Sequence, residues 1–147
     1  MRHIVGIIIA CAAIGCGSST TSVSKCVSDH GLDGKWQAVS IEYKGKLETG
    51  ERVTKHQMSI EGNRVTDLVN GKEETGPFKV DTSVTPSQID FYVNEDGTEK
   101  ILKAIFELKG DTLVYCRPTM ANRDRRPEKF SSTHGSGYEV WTFKRVK

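Results

Sequence analysis

The sequence predicts an all-β fold, an antiparallel up-and-down barrel of about eight or nine strands. Three observations carry this expectation. Apolar and polar residues alternate with period two: Leu102, Ala104, Phe106 and Leu108 share one face of a run whose other face holds Lys103 and Glu107. Ile89, Phe91 and Val93 repeat the pattern against Gln88 and Asp90, and Trp141 and Phe143 repeat it against Thr142 and Lys144. Such alternation marks strands that bury a single side. Gly-Asn, Asn-Gly and Asp-Gly pairs separate the runs, and they tolerate the positive φ of tight hairpins. Finally, no convincing 3.6-residue period follows the first hydrophobic stretch.

In chain order, strands are expected over 35–43, 53–60, 63–69, 73–81, 87–93, 99–108, 111–117, 127–131 and 137–146. Gly62-Asn63 turns the second into the third, and Asn70-Gly71 turns the third into the fourth. Asp96-Gly97 and Gly110-Asp111 do the same for the fifth to seventh. A meander of this kind closes most easily into a barrel, which also removes the adhesive edges of an open sheet. A two-sheet sandwich is the alternative arrangement. No internal repeat of solenoid or propeller period is present.

The front of the chain reads as an address. Arg2 and His3 precede an uncharged run from Ile4 to Ile14. That run is shorter than the roughly 20 apolar residues a membrane-spanning helix needs, and small residues follow it, as in an export signal. Ala13-Ile14-Gly15-Cys16 resembles the bacterial lipobox, in which cleavage before the cysteine precedes its acylation. The expected organisation is a signal peptide over 1–15, a flexible tether over 16–31 and a barrel domain over 32–147. Cys16 is then the lipidation site, and several acyl chains on one residue hold a protein at a membrane surface. The alternative is an ordinary secretory signal cleaved nearby.

Roughly 115 residues remain for one domain, near the usual size. The chain carries 21 basic and 19 acidic residues, a formal charge of +2. That balance argues against nucleic acid as a partner. With Cys11 lost in the signal and Cys16 acylated, Cys26 and Cys116 are left in an oxidising compartment. They form a disulfide or remain two separate thiols, with Cys116 a small buried hydrophobe.

The two ends of the domain converge on a resemblance. Gly34-Lys35-Trp36 opens the first strand and Lys144-Arg145-Val146-Lys147 closes the last. A Gly-x-Trp with a late cation is similar to the lipocalin signature, in which the indole plugs the closed end and the cation lies across its face. The resemblance implies a structural lock of Trp36 and Arg145. The stretches LDGKWQAVSIEYKGK (32–46), KAIFELKGDTLVYC (103–116), RPEKF (126–130) and GSGYEVWTFKRVK (135–147) resemble an uncharacterised lipocalin-like domain family of planctomycete bacteria. That family implies a fold and a cell-envelope setting, and no mechanism.

Candidate chemistry is sparse. His134-Gly135-Ser136-Gly137 reads as a turn, since a nucleophile elbow needs a positioned base and acid. His30, His56 and His134 match no metal-ligand spacing. The acid pairs Glu73-Glu74 and Glu95-Asp96 lie in or beside turns. One segment is dense in charge: Arg117, Arg123, Arg125, Arg126 and Lys129 offer contact to an anionic ligand or lipid headgroups at the barrel mouth, or form a solvated loop. The expected function is therefore non-enzymatic: a membrane-tethered envelope lipoprotein, monomeric, binding a small apolar or amphipathic ligand without cofactor or metal. The alternative is an envelope scaffolding protein with a filled barrel.

Overall fold

Tight turns of the kind anticipated set the course of the chain. Asn70 and Asp96 adopt φ of 51° and 50°, and Gly71 and Gly97 follow at 79° and 78°. Two consecutive positive φ values match the twist of the flanking strands. The computed structural model describes residues 30–147. The expected export signal, Cys16, Cys26 and nearly all of the expected tether lie outside the described residues.

The elements are β1 (Gly34–Tyr43), β2 (Lys46–Glu48), helix α1 (Glu51–Thr54), β3 (His56–Glu61), β4 (Arg64–Val69), β5 (Lys72–Asp81), β6 (Ser87–Glu95), β7 (Thr98–Lys109), β8 (Thr112–Pro118) and β9 (Tyr138–Arg145). A single 3-10 turn covers Met120–Asn122. Each strand pairs antiparallel with its neighbour, and β1 also pairs with β9 over Trp36–Tyr43, closing an eight-strand barrel. The short β2 adds to β1 beside the ring. A bulge between Ala38 and Ser40 shifts the β1–β9 register, so that Ala38 opposes Phe143 while Ile41 opposes Trp141. One extra residue keeps both Ala38 and Ile41 on the inner face and bends the strand around the barrel.

The inner face fills unevenly. At the end where β1 begins and β9 finishes, Trp36, Ile60, Leu113 and Phe143 are almost wholly buried and form a packed floor. Phe143 stacks on Tyr115 at 5.6 Å between centroids. The other end forms the mouth, reached by the Asn70-Gly71 and Asp96-Gly97 turns.

Three local expectations are corrected. No strand covers 127–131; the whole segment between β8 and β9 is irregular apart from its 3-10 turn. Pro127 brings no donor to a ladder, and the segment bonds instead across the outside of the barrel. Arg123 O accepts from Lys103 N at 3.3 Å, and Arg126 donates to Ala104 O at 2.7 Å. Ser132 O accepts from Gly45 N at 2.7 Å, and its hydroxyl donates to Glu42 at 2.7 Å. Second, the strand expected from residue 53 begins at His56, because α1 occupies Glu51–Thr54. Third, β2 is an element the alternation did not suggest.

The crossing segment explains a second buried layer. Ile105 and Cys116 oppose each other in the β7–β8 register on the outer face, yet neither is more than 1% exposed. Among the described residues Cys116 has no disulfide partner, and its Sγ lies 3.9 Å from Ser131 O. Burial pushes its pKa up to about 11. A thiolate is the reactive form. Iodoacetamide at pH 8 should therefore label Cys116 only after denaturation, as read by peptide mass; rapid labelling of the native protein would show the covering segment to be open.

Candidate functional site

At the floor, closure places Trp36 opposite Arg145. The Trp36 indole N–H donates to Leu32 O at 2.8 Å. The Arg145 guanidinium carbon lies 4.1 Å from the ring centroid, within cation–π range. Arg145 also donates to Asp33 O, and to Gly31 O at 2.9 Å. Gly34 adopts a φ of 129°, a conformation that disfavours a side chain, and a Cβ on it would lie 2.8 Å from Arg145 Nη1. These contacts seal the floor and tie the entering chain to the last strand. They leave no room for a ligand.

The mouth half differs. A cavity of about 820 Å³ opens there, with Met58, Val65, Phe91 and Leu102 as apolar wall and Asp67, Tyr115 and Arg117 as polar wall. Its rim carries Lys72, Glu74, Glu95, Asp96 and Met120. The period-two register explains this lining. Asp67 opposes inward Met58, Arg117 opposes Glu139, and Tyr115 opposes Trp141. The wall is incomplete on one side. β5 and β6 pair only where Phe78–Asp81 meets Gln88–Phe91. Nearer the mouth, β5 pairs with β4 alone and β6 with β7 alone, and the cavity runs along that seam past Gly76 and Tyr92.

Two hydrogen-bonded side-chain pairs lie against the cavity. His56, 1% exposed, has Nε2 at 2.5 Å from Asp67 Oδ1. A carboxylate only accepts, so Nε2 carries the donating proton. Nδ1 has no partner, and the ring stands edge-on to Trp141 at 4.5 Å. Arg117 Nε donates to Glu139 Oε1 at 2.5 Å, with the guanidinium 5.7 Å from the Trp141 ring centroid. Burial opposes the Arg117 charge, but the charge and hydrogen bond of Glu139 work against it and its pKa is raised. Burial also raises the Tyr115 pKa well above the ordinary phenol range, so Tyr115 stays a neutral hydroxyl. The buried Trp141 N–H has no partner.

The structure does not bring the five basic residues of 117–129 together. Arg117 turns into the barrel. Arg123 pairs with Glu95 on the rim, and Arg126 pairs with Asp90 at 2.6 Å. Arg125 and Lys129 are exposed. Each inward or strapped guanidinium already has a carboxylate. The histidines also stay apart: His30 lies 3.0 Å from Gly62 O near the floor, His56 lies at the mouth and His134 is exposed. Among the described residues, no group of three or more His, Cys, Asp or Glu could hold a metal. Ser136 Oγ accepts from Tyr138 N at 3.2 Å within its turn. Among the described residues, no helix is long and apolar enough to cross a membrane.

Sequence reasoning missed Asp67, Tyr115 and Glu139, and weighed His56 only as a metal ligand. Their signal was an ionisable residue at an inward position of an alternating run, as in Val65-Thr66-Asp67. No family model matches the chain, and neither a curated protein nor a solved structure matches it.

Proposed function

We propose that this protein binds one small amphipathic ligand in the mouth half of its barrel, without catalysing a reaction. The observation that carries the reading is the cavity of about 820 Å³, apolar on one wall and polar on the other, above a packed floor. Pockets for small ligands combine apolar surface with a few placed polar groups in this way. The packed floor alone would suit the scaffolding alternative. The open half favours binding.

Filling the cavity tests this. Wild type should give saturable, one-to-one fluorescence enhancement of the neutral dye Nile red. Leu102→Trp, which places an indole in the cavity wall, should weaken it by about tenfold or more, the equivalent of about 1.4 kcal/mol. Equal binding by both proteins would sink the reading.

The lipocalin-like assignment rests on Gly34-Lys35-Trp36 and Arg145, and the envelope setting rests on the lipobox-like Ala13-Ile14-Gly15-Cys16. In this reading, acylated Cys16 tethers the barrel to an envelope membrane. Intact-mass analysis of membrane-extracted protein should find a diacyl or triacyl cysteine as residue one of the mature chain. An unmodified mature N-terminus elsewhere would remove the anchor.

A further inference from the structure

The charge arrangement in the cavity narrows the ligand class. We infer that the ligand is a monocationic amphiphile, an organic amine with an apolar body, whose ammonium group pairs with Asp67. The inference rests on the binding reading above.

The argument is one of unmatched charge. The cations lining the cavity are Lys72 and Arg117, and each is already at a carboxylate: Lys72 at 2.6 Å from Glu74, Arg117 at 2.5 Å from Glu139. Glu95 is held by Arg123. Asp67 differs from these acids, because its hydrogen-bonded partner is an imidazole, charged only when protonated, and the Arg117 charge that it feels is already bonded to Glu139. Its second oxygen has acceptor capacity to spare. Asp67 is about 30% exposed by its side chain, so water screens it only partly and an opposite charge gains more than at an open surface. An anionic head would meet Asp67, Glu74, Glu95 and Asp96 on the same lining with no uncompensated cation among them.

The walls fit the rest of such a molecule. Phe91 and Tyr115 lie 6.1 Å apart between centroids, both on the cavity, and aromatic faces attract ammonium groups as well as apolar chains. Tyr115 remains neutral and adds no competing charge. Met58, Val65 and Leu102 supply the apolar bed. A matched ligand thus places its positive charge at Asp67 and its apolar part between Phe91 and Leu102.

Three probes with one apolar body separate the class from the site: 4-phenylbutylamine, 4-phenylbutanol and 4-phenylbutanoate, titrated calorimetrically into the full-length protein at neutral pH. The amine should bind at least about tenfold tighter than the alcohol, as a charge-assisted hydrogen bond implies, and the carboxylate should bind weakest. Asp67→Asn keeps an acceptor for His56 and should bring the amine and alcohol affinities to within about twofold of each other. Equal binding of amine and alcohol, or tightest binding of the carboxylate, would overturn the amine assignment and leave the cavity reading standing. Failure of all three probes to bind would overturn both.

Discussion

Replacing Trp36 with alanine should cost about 3–5 kcal/mol of stability, the range for removing a large buried aromatic. Trp36 is fully buried at the floor, so the cavity left behind can collapse only by moving strands of a closed ring. The substitution also strips Leu32 O of its indole donor and Arg145 of the ring beneath it. Urea unfolding is the measurement, read as a fall in midpoint at unchanged slope. Arg145→Ala should cost less, about 0.5–2 kcal/mol, because its side chain is partly exposed and its loss removes a cation–π contact and stem packing. The double variant should lose clearly less than the sum of the two, since contacting residues couple. Strict additivity would mean that the lock does not act as a unit.

The second large effect lies at the mouth. Arg117→Ala leaves Glu139, whose side chain is only 15% exposed, without its cation. Removing one partner of a buried pair typically costs about 3–5 kcal/mol, because the other charge stays desolvated. Arg117 is about a quarter exposed, so water reaches the pair and the expected loss falls to about 2–3 kcal/mol. Replacing both members, Arg117→Met with Glu139→Leu, should bring stability back to within about 1 kcal/mol of wild type. A double variant as unstable as the single would show that the pair itself, rather than a stranded carboxylate, holds β8 to β9.

Local chemistry made the barrel legible. The Asn70-Gly71 and Asp96-Gly97 turns can be read from two residues each, and inward Leu102, Ala104 and Phe106 from their own alternation. What depended on distant partners could not be read. Arg126 looks like one of a basic group until Asp90, brought beside it from β6, neutralises it. The segment 127–131 resembles a strand only when Ser132 and its contacts to β1 and the β1–β2 turn are ignored. Asp67 hides for a further reason. A carboxylate on the inner face of a strand reads as an ordinary polar residue until closure shows that this part of the interior holds a cavity. The short α1 falls below the length at which a helical period can register.

The entry point of the chain has a consequence for its attachment. His30 and Gly31 are fastened to the floor, through Gly62 O and Arg145, at the end of the barrel away from the cavity. Whatever precedes residue 30 therefore joins the barrel at its sealed base, at the opposite end from the opening.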